Sequence, residues 1–101
     1  MAEYISDGIK EKMRKAEKLI SAEKSRLGIH FLFRCEVIGW NMDEQSYEVR
    51  FSQGNHVLAE RLIQTRYLDN PEDLTYLTRL LREIEVVIRD GEIKPKGGGR
   101  Q

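Results

Sequence analysis

The chain has 101 residues, 40% apolar and 34% charged, and its 17 basic and 17 acidic side chains give a formal net charge of zero. That length fits one domain with one modest core, and the composition is that of a globular protein rather than a disordered one. Balanced charge excludes a chain-wide pull toward nucleic acid or anionic membrane, so any such binding needs a local patch. Cys35 is the only cysteine, which excludes an internal disulfide and points to a reducing compartment. The first ten residues carry no apolar leader-like core. Apolar runs such as Phe31 to Phe33 and Val86 to Ile88 fall far short of the roughly 20 residues that span a bilayer. A small soluble, cytoplasmic domain is expected.

The first helix is expected from about Ser6 to Leu27. Ile5, Ile9, Met13, Ala16, Ile20 and Leu27 recur at helical spacing and Leu19 widens the stripe. Ser6 or Asp7 suits the N-cap, and Gly28 suits the residue after the end. Between Lys10 and Arg26 there are seven basic and three acidic residues.

From Ile29 to Trp40 the pattern changes to period two, which predicts a strand. Phe31, Phe33, Cys35 and Val37 take one face, while Leu32, Arg34, Glu36, Ile38 and Trp40 take the other. A second strand is expected over Ser46–Ser52, with Tyr47, Val49 and Phe51 on its apolar face. Asn41 to Gln45 forms the loop of a hairpin. Charge selects the register, because residues opposite each other in an antiparallel pair share a face. Pairing Arg34 with Arg50 would also oppose Glu36 to Glu48. A shift of two residues pairs Glu36 with Arg50, Cys35 with Phe51 and Val37 with Val49, and is preferred.

Gln53-Gly54-Asn55 reads as the next turn. His56 to Leu68 fits a strand face (Val57, Ala59, Arg61, Ile63) as well as a helix face, and a third strand over about His56–Leu62 is favoured. The last helix is expected over about Pro71–Asp90. Leu74, Leu77, Leu81, Ile84 and Ile88 step by 3, 4, 3 and 4, with Leu80 and Val87 beside them. Asn70 suits its N-cap, Pro71 its first turn and Gly91 its stop. The fold class is therefore α+β: a two-layer sandwich of an N-terminal helix, an antiparallel meander of two or three strands and a C-terminal helix. Residues 1–93 form the domain and 94–101 a flexible Lys/Gly-rich tail. The helix–strand–strand–strand–helix order resembles double-stranded RNA-binding domains and the small RNA-binding proteins of the signal recognition particle, in topology alone. Glu72 and Asp73, not a basic cluster, open the second helix, and no family is inferred.

Chemistry-bearing groups are sparse. Cys35, His30 and His56 include no close-spaced ligand pair, so no metal and no cofactor is expected. A Cys35–His56 dyad needs an accessible thiolate, whereas Cys35 falls on the apolar face. Asp43 with Glu44 sits in a loop. Glu72 with Asp73 is explained by the helix dipole. Gly97-Gly98-Gly99 leads into no helix and so cannot cradle a phosphate. No catalytic residue is assigned and no enzyme activity is expected.

Two binding functions remain. The first is a protein-interaction or self-associating module, a homodimer, whose interface uses Leu32, Ile38 and Trp40 on the outer sheet face or the surplus apolar edge of the last helix, with Leu77, Leu80 and Val87. On that reading Trp40→Glu weakens association by about 1–4 kcal/mol without unfolding the domain. The alternative is RNA or single-stranded DNA binding. It would use the stripe Lys10, Arg14 and Lys18 together with Arg34 and Arg50 beside Trp40, with the tail's Lys94, Lys96 and Arg100 adding charge.

Overall fold

A computed structural model describes residues 6–70 and 72–93. Helix α1 (Asp7–Arg26) leads to strands β1 (Arg34–Asn41), β2 (Ser46–Gln53) and β3 (His56–Gln64), then a 3-10 turn (Thr65–Tyr67) and helix α2 (Thr75–Ile93). The α+β order and the third strand are as the sequence implies, and β3 runs two residues further than expected. The tail, Ile5 and Pro71 lie outside the described residues.

Helix α1 begins and ends for local reasons. The Ser6 hydroxyl accepts the Ile9 N–H at 3.2 Å, satisfying one orphan donor of the first turn. At the other end Gly28 adopts φ 76°, a left-handed conformation that costs glycine little. The Gly28 N–H bonds to the Ser25 carbonyl and the Ile29 N–H to that of Lys24, both at 3.0 Å, the two bonds of a Schellman ending.

That ending overturns the expectation that a strand starts at Ile29. The chain turns through 29–33, where the Leu32 N–H bonds to the Ile29 carbonyl at 3.1 Å. Side chains take the carbonyls a strand partner would need. Gln53 Nε2 donates to Leu32 O at 2.9 Å, and Lys24 Nζ donates to Phe33 O at 2.5 Å while lying over the Phe33 ring. Ile29 and Phe33 are buried and Leu32 packs against the core, but Phe31, expected on the apolar face, is 70% exposed.

The sheet order is β1-β2-β3, antiparallel throughout. Glu36 pairs with Arg50, Cys35 with Phe51 and Val37 with Val49, the register that charge avoidance selects. Beyond Val37 the alternation breaks. Ile38 is the extra residue of a bulge, and the register resumes with Gly39 opposite Glu48 and Trp40 opposite Tyr47. Tyr47 is buried, so Trp40 faces the core and not, as expected, the outer sheet face. A second bulge, at Leu58, turns Leu58 toward the core and leaves Val57 exposed. The two-residue loop between Gln53 and His56 carries a positive φ of 55° at Gly54.

The start and stop of α2 also differ from expectation. Asn70 makes a turn of its own: its carbonyl accepts the Asp73 N–H at 3.0 Å and its Oδ1 accepts the Glu72 N–H at 3.2 Å. Asp73 then serves the helix start, its Oδ1 accepting from the Thr75 hydroxyl at 2.9 Å and the Thr75 N–H at 3.4 Å. Glu72 and Asp73 therefore precede the first turn rather than occupy it. Gly91 does not stop the helix, which continues to Ile93.

Both helices cover the inner sheet face. Ala16 and Ile20 of α1 and Leu77, Leu81, Ile84 and Ile88 of α2 bury against Phe33, Cys35, Val49, Phe51 and Ile63. A buried polar knot joins the two helices. Glu23, 2% exposed, receives two bonds from Arg26 at 2.8 and 2.6 Å and one from the Thr78 hydroxyl at 2.5 Å. The Arg26 guanidinium holds the Glu23 carboxyl below the usual carboxylate pKa, against the opposing effect of burial.

Candidate functional site

The residues expected to form an interface divide by burial. Leu77 and Leu80 are core, and Leu32 and Trp40 pack against it, with the Trp40 ring 5.3 Å from that of Tyr47. Ile38, at the bulge, is 39% exposed. Leu32, Ile38 and Trp40 therefore do not form one outer patch, and Trp40→Glu would disturb the core as well as any surface. Val87 does lie on the surface.

The expected nucleic-acid residues are likewise separated. Lys10, Arg14 and Lys18 lie on the side of α1 turned away from the sheet, and Arg14 is ion-paired with Glu11. Arg34 and Arg50 lie on the opposite side of the sandwich, on the outer sheet face. There Arg34 pairs with Glu36 at 3.3 Å and Arg50 with Glu60 at 2.8 Å. Glu48 stands on the same face, and Trp40 does not. The stripe and the sheet arginines thus form no single platform.

Cys35 is buried, and burial pushes its thiol up to about 12, so it is a thiol and not a thiolate at neutral pH. His56 lies on β3, which does not neighbour β1. Among the described residues no group of three or more His, Cys, Asp or Glu is placed to hold a metal ion.

A more concentrated surface lies where α2 meets β3. The buried stripe of α2 is complete without Val86 and Val87, yet both are large apolar side chains, 62% and 58% exposed. They line a shallow hollow with Ile84, Glu83 and three arginines, Arg61 of β3 and Arg79 and Arg82 of α2. Arg82 donates to Glu85 at 2.7 Å, and the Glu85 carboxyl is held low first by Arg89 and then by Arg82. Arg61 donates to the Glu60 carbonyl at 3.1 Å. Arg79 has neither a hydrogen bond nor an ion pair to any described residue.

Beside this hollow a second cleft contains Arg66, Tyr67, Tyr76 and again Arg79. The rings of Tyr67 and Tyr76 stack, with centroids 4.2 Å apart and planes 16° from parallel. Arg66 lies over Tyr67 and donates to its hydroxyl at 3.0 Å and to Gln64 at 2.8 Å. This packing fixes the 3-10 turn to the first turn of α2, and so sets α2 relative to the end of β3.

Sequence reasoning found Val87 but not Val86, Arg61 or Arg79. Val86 was legible: it stands two residues from both Ile84 and Ile88, half a helical turn away from the buried stripe. Gly39, isolated inside a strand pattern, likewise marks the bulge that reorients Trp40. The meeting of Arg61 with Arg79 depends on how α2 lies over the sheet, and no local pattern carries that.

No family model matches the chain, and no curated protein and no solved structure matches it.

Proposed function

We propose that this chain is a non-catalytic protein-interaction module that docks another protein, or a second copy of itself, on the side formed by α2 and β3. The observation behind this reading is the pair Val86 and Val87. A helix that has already buried Leu77, Leu80, Leu81, Ile84 and Ile88 gains nothing in its own fold from two further exposed valines. Exposed apolar side chains ringed by arginines are the composition of an interface core with its rim.

The first experiment is absolute mass by light scattering on a sizing column, with absorbance at 260 and 280 nm, before and after nuclease. A protein-only assembly that weakens in Val87→Glu supports the reading. A nuclease-sensitive complex, with affinity falling steeply as salt rises, would replace it with nucleic-acid binding.

A further inference from the structure

We infer that the open edge of β3 takes a fourth strand from a partner: an extended peptide segment bearing carboxylate side chains, laid between β3 and α2. This rests on the protein-interaction reading above and names the occupant of that site.

The backbone supplies the first argument. The nine-residue β3 pairs, among the described residues, with β2 on one side and with no strand on the other. Among the described residues, a single side chain bonds to its backbone, Arg61 to the Glu60 carbonyl. A strand edge with unpaired N–H and C=O groups is a template for another strand, and an added strand places alternate side chains on each face. The inner-face positions of such a strand lie over the hollow floored by Ile84 and Val87. A helix laid in the hollow would satisfy none of the β3 edge groups.

Charge supplies the second argument. The hollow is lined by three arginines and one glutamate, and Arg79 has no hydrogen bond or ion pair among the described residues. An incoming strand with Asp or Glu on its inner face meets complementary charge, which steers encounter and sets register.

The same considerations disfavour a second copy. Two copies of one strand pair antiparallel about a two-fold axis normal to the sheet, which keeps every residue on its own face. Centred on residue 60, this sets Glu60 against Glu60; centred on residue 61, it sets Arg61 against Arg61. Like charges directly opposed destabilise a strand pair. Centring on Ala59 puts the Leu58 bulge in the middle of the new ladder, and centring on Leu62 avoids both conflicts but confines the ladder to residues 60–64, five of the nine in the strand.

The test presents the full chain to a phage-displayed library of random linear peptides and resynthesises the enriched sequence. The expected peptide is rich in Asp and Glu with alternating apolar residues. Its binding should slow amide exchange across residues 56–64. Arg61→Glu, an exposed change whose fold is checked by circular dichroism, should weaken it about tenfold or more, since like-charge juxtaposition costs well over the 1.4 kcal/mol that corresponds to tenfold. N-methylation of alternate peptide amides should abolish it. A peptide that binds without protecting β3, or binds Arg61→Glu equally well, overturns strand addition and leaves the docking-module reading standing. A chain that enriches no peptide but dimerises with β3 protected has a second copy as occupant, and the carboxylate-bearing partner is wrong. No enriched peptide together with a monomer at all concentrations removes both this inference and the reading beneath it.

Discussion

At the β1 edge of the sheet, α1 packs against the strand and Glu17 accepts the Val37 N–H at 3.0 Å. Just before that strand, Lys24 and Gln53 hold the carbonyls of Phe33 and Leu32. At the β3 edge, among the described residues, only the Arg61 guanidinium hydrogen-bonds to strand backbone, and a hollow lies between β3 and α2. Both edge strands carry a bulge, so irregularity alone does not separate them. What separates them is the helix beside each. α1 places Glu17 where it can satisfy an edge strand, whereas no side chain of α2 bonds to the β3 backbone among the described residues, and its Arg82 turns instead to Glu85. An edge left open in this way is an aggregation hazard unless charge guards it or a partner covers it. Glu60 and Arg61 are the guard.

The largest test of this contrast compares a core change with a surface change. Phe51, fully buried against Phe33 with ring centroids 6.1 Å apart, belongs to the closed half. Phe51→Ala is expected to cost about 3–5 kcal/mol in urea unfolding, through lost burial and the cavity left behind. A cost below about 1 kcal/mol would mean that the sheet and helices do not share this core.

Next in size is Glu23, whose carboxylate ties Arg26 and Thr78 across the two helices. Glu23→Gln weakens the charge-assisted bonds to Arg26 and is expected to cost about 1–3 kcal/mol near neutral pH. The pH dependence has a definite sign. The folded pKa lies below the ordinary carboxylate value, so this contribution is fully present above about pH 4.3 and is lost as pH falls through the folded pKa. The Gln variant should therefore show a shallower acid loss of stability. Glu85, also held low, keeps part of the slope. An unchanged acid limb would show that Glu23 is not the coupled group.

Smaller again is Glu17→Ala, which opens the β1 edge. The Val37 N–H loses its acceptor, for an expected cost of about 1 kcal/mol. Its amide exchange should quicken while that of the β2 strand does not. Equal exchange in both proteins would show that the β1 edge is closed by something other than this carboxylate.

Much of the closed half was legible in the sequence, and little of the open half was. The caps of α1 follow from Ser6 and Gly28, since capping is a matter of neighbouring residues. As far as Val37 the β1–β2 register is the one preferred over pairing Arg34 with Arg50, which would also have opposed Glu36 to Glu48. The reading fails where two local signals compete. The alternation through Phe31 and Phe33 suggests a strand, but the turn after Gly28 governs those residues and exposes Phe31. Asn70 suits a helix N-cap, yet Asp73 is one turn nearer the apolar stripe and serves instead. The α2–β3 hollow was legible only in its two valines, because Arg61 and Arg79 are brought together by the lie of a helix over a sheet rather than by spacing along the chain.

The smallest expected effect on stability falls on the open side, and it sharpens the contrast most. Val86→Ser removes an apolar side chain that is 62% exposed and covers no part of the core. If α2 were merely a packing element, this change would be neutral in every assay. Its stability should move by no more than about 0.5 kcal/mol, the usual range for surface substitutions. Docking at the hollow should nonetheless weaken, because the same side chain is desolvated only when a partner arrives. A residue that is silent in urea unfolding and costly in binding is there for a contact made outside the folded chain. The opposite outcome, a stability loss near that of a core change with binding intact, would place Val86 inside the fold and close the β3 side as firmly as α1 closes the other.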